Sequence, residues 1–172
     1  AKALPPTPAS KLRADVLRLL NSIKSPSDTN REQIQAVLGI PVGRPDDSDA
    51  FFGFFGPIAE GGHFAATVWP SDAPSRSEIR FRIDPPATEN LTRCVIDADS
   101  FMDEMRQGGW TVSTQSVVER SGERSFGYIR DLPEHGIRVA GTVYARSPPG
   151  RADNARCLTQ VVINASVLGG NE

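Results

Sequence analysis

The chain of 172 residues holds two histidines, His63 and His135, and two cysteines, Cys94 and Cys157. These four side chains bound much of the chemistry available to it. A serine-hydrolase triad needs a histidine within hydrogen-bond reach of a nucleophile and oriented by a third group. Neither histidine stands near a Gly-x-Ser-x-Gly context. Gly61-Gly62-His63 reads as a turn entering a strand, and Glu134-His135-Gly136 as a hairpin tip. A cysteine nucleophile in a reduced protein has no flanking sequence to support it. No catalytic residue is therefore assigned.

Metal chemistry fares no better. Two Cys and two His could in number hold zinc, but they lack the short-range ligand pair that structural zinc sites show. The cluster Asp46-Asp47-Ser48-Asp49 has carboxylates for calcium, yet it lacks the alternating loop and closing glutamate of an EF-hand. It reads as a solvated acidic turn, and neither a metal nor a cofactor is expected.

The cysteines have two readings. They are either two buried thiols, since free Cys packs as a small hydrophobe, or one disulfide in an oxidising compartment. Their even number, their places at the starts of apolar runs and the absence of an initiator Met favour the disulfide. The Pro-rich start, Leu4-Pro5-Pro6-Thr7-Pro8, suits an extended tether over residues 1–9, with a lipid anchor upstream of Ala1 left open.

The most unusual stretch is Phe51-Phe52-Gly53-Phe54-Phe55-Gly56-Pro57, which holds four of the eight phenylalanines. In a strand these cannot all face inward, because side chains alternate. One reading is a bulge or loop folded over the core. The other is an aromatic patch for a partner, rimmed by Asp46, Asp47 and Asp49. A second contact candidate is the strict alternation Ile79-Arg80-Phe81-Arg82-Ile83, whose Arg80 and Arg82 share the wet face.

These candidates need elements to position them. A helix is expected over residues 10–23, with Leu12, Val16, Leu19, Leu20 and Ile23 as its apolar stripe. Thr29-Asn30-Arg31-Glu32 reads as a capping box with Thr29 as cap, opening a second helix that Gly39 and Pro41 end. Phe101, Met102 and Met105 are the inward residues of a third helix over residues 99–107, stopped by Gly108-Gly109. Strands are expected over residues 64–69, 79–83, 110–118, 125–131, 137–145 and 157–165, with a short apolar run at Cys94-Val95-Ile96. Gly141, on the face shared by Ile137, Val139 and Val143, marks a bulge or a close neighbour. The expected class is α+β: N-terminal helices and one mid-chain helix packed on an antiparallel sheet, in a single domain over residues 10–172.

The run Thr29-Asn30-Arg31-Glu32-Gln33-Ile34-Gln35-Ala36-Val37-Leu38-Gly39-Ile40-Pro41 resembles the helix signature of the SmpA/OmlA lipoprotein and β-lactamase inhibitor protein group. In that group a capped helix ending in Leu-Gly-x-Pro packs on an antiparallel sheet. The resemblance implies an extracytoplasmic protein that works by binding other proteins. It carries over no functional residue, because the matched positions are structural. The phenylalanine cluster departs from the pattern, standing where a short strand entry is expected.

Composition is that of an ordinary globular protein, with 38% hydrophobic and 23% charged residues and a formal net charge of -2. There is no clustered basic footprint for nucleic acid, and no apolar run reaches the ~20 residues that span a bilayer. The reading is a periplasmic or secreted protein-binding protein, an inhibitor or toxin-neutralising immunity protein that occludes a partner's cleft. Its candidate contacts are Asp46, Asp47, Asp49, Phe51, Phe52, Phe54, Phe55, Arg80 and Arg82. An envelope-assembly scaffold lipoprotein is the alternative, and a hydrolase with an unrecognised site is the third.

Overall fold

Strict alternation builds the sheet. In the strand Ile137–Arg146, residues Ile137, Val139, Gly141, Val143 and Ala145 are buried, while those between them are half-buried or exposed. The same period puts Ile79, Phe81 and Ile83 in the core and Arg80 and Arg82 outside. The computed structural model describes residues 5–39, 52–69, 78–84, 94–118, 122–147 and 156–169. Over these, the helices are α1 (Ala9–Ser22), α2 (Arg31–Leu38) and α3 (Ala98–Gln107). The strands are β1 (Phe52–Pro57), β2 (His63–Trp69), β3 (Glu78–Asp84), β4 (Thr111–Val118), β5 (Arg124–Leu132), β6 (Ile137–Arg146) and β7 (Cys157–Val167).

All seven strands form one antiparallel sheet in the order β1-β2-β3-β7-β6-β5-β4. The last strand of the chain thus lies in the middle. It joins a hairpin-linked triplet from the first half to a meander from the second. The class is α+β, with the three helices packed on the sheet.

The apolar stripe of α1 (Leu12, Val16, Leu19, Leu20, with Ile23 just beyond) is buried, as are Phe101, Met102 and Met105 of α3. Both helices meet over Gly141. A Cβ built there would stand 3.0 Å from Leu20 and 3.4 Å from both Met105 and Trp110. The glycine is thus a socket for three core side chains. Trp110, next to α3, is buried and donates its indole N–H to Asn21 at 3.1 Å. Arg130 of β5 donates to the same oxygen at 3.0 Å.

Three local features differ from the sequence expectation. The sheet begins at Phe52 rather than Phe64, because the phenylalanine segment is an edge strand in unbroken register with β2. The cap of α2 is Asn30, whose side chain accepts from the N–H of Gln33 at 2.8 Å. Thr29, one residue earlier, is buried and donates its hydroxyl to the Pro26 carbonyl. Gly39 does end the helix in the left-handed conformation, φ 67°. Finally, residues 94–96 form no strand of their own. Asp97 makes a single bridge with Cys157, flanked by hydrogen bonds from Ala98 to Arg156 and from Leu158 to Ile96, each 2.9 Å.

The sulfurs of Cys94 and Cys157 stand at bonding distance, 1.99 Å, across 63 residues of sequence. They clamp the approach to α3 onto the start of β7. Arg156 reinforces the junction, reaching Asp99 at 3.0 Å and lying over the Phe126 ring at 4.9 Å. At the other end, Thr7 is held to the β1–β2 turn, its N–H to the Pro57 carbonyl and its carbonyl to the Ala59 N–H. Pro8, the residue at the α1 cap position, makes no side-chain cap bond. Glu60 supplies the acceptor, taking the Ala9 N–H at 2.7 Å, where a carboxylate suits the positive end of the helix. The chain is therefore anchored to the sheet two residues before α1 begins.

Candidate interaction face

The sheet has two unlike faces. The buried side chains of β2, β3, β5, β6 and β7 point the same way as Gly141, into one cluster with α1, α2 and α3. Among the described residues no helix lies on the opposite face.

Register lines its residues into rows. One row runs Phe55, Ala65, Arg82, Gln160, Tyr144, Ser125 from β1 to β5. The next runs Gly53, Thr67, Arg80, Val162, Thr142, Gly127. Gln160, Val162, Thr142, Tyr144, Ala140 and Ile129 form an uncharged, half-buried strip across β7, β6 and β5. The exposed Arg80 and Arg82 stand along one flank of it, and Arg138 and Arg146 at the two ends of β6.

Each of these arginines has an acidic neighbour. Arg80 pairs with Glu78, Arg82 with Asp84 at 3.3 Å, and Arg146 with Glu123 at 3.8 Å. Arg138 makes a two-pronged contact with Asp131 directly across the β5–β6 ladder. That hydrogen bond holds the Asp131 carboxyl below its usual range and raises Arg138. Exposed pairs of this kind add little to stability. Their stronger effect is to hold the guanidinium groups in place beside the strip.

The structure brings together part of the expected contact set. Phe55 occupies the same cross-strand row as Arg82, two strands away, which at the spacing of a sheet is ~10 Å. Phe52 and Phe54 pair in register with Val68 and Ala66. Asp46, Asp47, Asp49 and Phe51 lie outside the described residues. The strip from Ala140 to Val162 has no signal in the sequence. Its residues are small or uncharged, and only the placement of β7 beside β3 gathers them next to the arginines.

His63 is exposed at the start of β2 and His135 is exposed in the turn Pro133–His135 between β5 and β6. Among the described residues no three His, Cys, Asp or Glu side chains group as metal ligands. No described helix is long and apolar enough to cross a membrane. The bonded cysteine pair is compatible with a secreted or periplasmic protein. Compared with protein-family models, curated proteins and solved structures, the chain matches none.

Proposed function

We propose that this chain is an extracytoplasmic protein-binding protein, an inhibitor or toxin-neutralising immunity protein, and that the open face of its sheet is the surface that occludes a partner's cleft. The observation that carries the reading is the row joining Phe55, Arg82 and Gln160 beside the uncharged strip. Arginine and aromatic residues around a partly dry centre are the composition of binding hot spots. A seven-stranded sheet backed by three helices supplies a rigid platform for them. The helix run that resembles the SmpA/OmlA and β-lactamase inhibitor group supports the same class of work. The acidic residues Asp46, Asp47 and Asp49 extend the contact in this reading, next in sequence to β1.

The test is charge reversal on the open face. Arg80→Glu with Arg82→Glu changes two exposed side chains and no core contact. Protein recovered from the native organism's envelope by the unaltered chain is identified, and its affinity for both forms is measured. The expected result is at least a tenfold loss of affinity with an unchanged unfolding midpoint. Equal affinity of the two forms would place the contact elsewhere and overturn the reading.

A further inference from the structure

The sheet ends in two edges, and they are built differently. β4 shifts register against β5 twice, between Val112 and Thr114 and again between Thr114 and Val117. Bulges of this kind twist an edge away and protect it from a further strand. β1 has no such protection. It runs from Phe52 to Pro57 in unbroken register with β2 and carries no charged residue.

Among the described residues only its last rung is filled. The Thr7 N–H reaches the Pro57 carbonyl at 3.0 Å, so that carbonyl points outward from the sheet. Backbone groups in an antiparallel strand alternate between partner and outside. Phe55 and Gly53, two and four residues earlier, therefore also direct N–H and C=O outward. Among the described residues no other backbone pairs with that edge.

We infer that β1 pairs with β1 of a second copy of this chain, antiparallel about a two-fold axis at Phe54, to make one sheet continuous across a dimer. The strand is complementary to itself in that register. Residues 52–56 read Phe-Gly-Phe-Phe-Gly, and reversed about Phe54 they set Phe52 opposite Gly56 and Gly53 opposite Phe55. Each glycine position meets a phenylalanine position, the large-against-small match that offsets the weakness of glycine in a strand. The outward-pointing residues, Gly53 and Phe55, are also the ones this register brings together as hydrogen-bonded pairs. The paired stretch ends at Gly56, one residue short of Pro57, so Thr7 keeps its rung. A two-fold contact uses the same patch on both copies and closes the assembly. It occupies the edge of β1 and leaves the open face free, so it stands apart from the partner-binding reading.

The test is the mass of the chain in solution by sedimentation equilibrium. The native chain is expected at twice its 18.6 kDa. Gly53→Pro removes an outward N–H and no bond to β2, a place where an edge strand tolerates proline. It is expected to sediment at 18.6 kDa with an unchanged circular dichroism spectrum. Val112→Lys, on the opposite edge, is expected to remain dimeric. Phe54→Cys is expected to form a covalent dimer on mild oxidation. Facing residues of a non-hydrogen-bonded pair stand ~4.5 Å apart at Cα, within the range a disulfide spans. Phe55→Cys, which faces Gly53, is expected not to cross-link. If Gly53→Pro fails to fold, the two cysteine variants decide the matter. A native chain that stays monomeric to roughly millimolar concentration overturns the inference, as does a dimer that a folded Gly53→Pro leaves intact. Cross-linking at Phe55→Cys without Phe54→Cys overturns it as well.

Discussion

Replacing both Cys94 and Cys157 by Ala tests the largest single constraint in the molecule. The bond closes a loop of 63 residues. In the chain-entropy model, closing such a loop removes about 14 cal/mol/K from the unfolded chain, or about 4 kcal/mol at 25 °C. For a domain of this size each kcal/mol moves Tm by roughly 2–4 °C, so the variant should melt roughly 8–16 °C lower. The folded state loses little else. The hydrogen bonds from Ala98 to Arg156 and from Leu158 to Ile96 cross the same junction and remain, as does the Arg156–Asp99 contact. The effect should therefore fall on the unfolded state, and the urea m-value should rise as the released chain expands. The assay is urea and thermal unfolding of the native protein, its reduced form and the double variant. Thiol titration of the unfolded, unreduced native protein should find no free thiol. Two free thiols, or a drop in Tm of under about 3 °C in both the reduced and the substituted protein, would refute the reasoning.

Three further perturbations probe the core. Gly141→Ala should cost about 1–3 kcal/mol in urea unfolding, because its methyl enters the space of Leu20, Met105 and Trp110; a neutral result would mean the neighbours yield freely. Asn21→Ala leaves the buried Trp110 indole N–H without its acceptor and should cost about 1–3 kcal/mol, with a shift in tryptophan fluorescence. Burial pushes the Tyr128 phenol above its ordinary value of about 10, and the nearby Arg106 only partly opposes this. Its stabilising contribution is thus complete below the unfolded-state value and is lost as pH rises through that value toward the higher folded one. Phenolate absorbance should show Tyr128 ionising later in the folded than in the urea-unfolded protein, and coincident titrations would contradict this.

Local patterning makes most elements legible in the residues themselves. α1 and α3 are positioned within a residue or two by their apolar stripes, and six of the strands by their alternation. β1 is not legible, because two glycines and a proline in six residues argue against a regular strand. An edge position resolves the conflict. Pro57 has no N–H to leave unpaired there, and its outward carbonyl meets Thr7 instead. The same strap is hidden in the sequence, where residues 1–9 read as an extended tether, since a proline-rich run gives no sign of the rung it occupies. The cap of α2 is displaced by one residue because Thr29 and Asn30 are both good caps, and the choice falls to packing: Thr29 is buried against the preceding turn.

The open face is the least legible part, for a reason that lies in topology. Arg80 and Arg82 can be read as wet from their own strand, but their neighbours cannot. Sequence adjacency would set β3 beside β4 or leave it at an edge, and the strip would then lie apart from the arginines. Placing β7 between β3 and β6 sets Gln160 opposite Arg82 and Val162 opposite Arg80. The disulfide bears on that choice. Cys157 opens β7, and its bond to Cys94 ties the strand to the segment entering α3, which packs over β6 at Gly141. One covalent link thus holds the start of the central strand beneath the helix that covers its neighbour. Because the bond acts on the unfolded chain, its loss should speed exchange in the β3–β7 rows through opening of the whole molecule, with the folded rows themselves unchanged. Hydrogen exchange at Gln160 and Val162 in the double cysteine variant measures this directly. Protection there unchanged, while the α3 entry alone opens, would separate the integrity of the face from the bond.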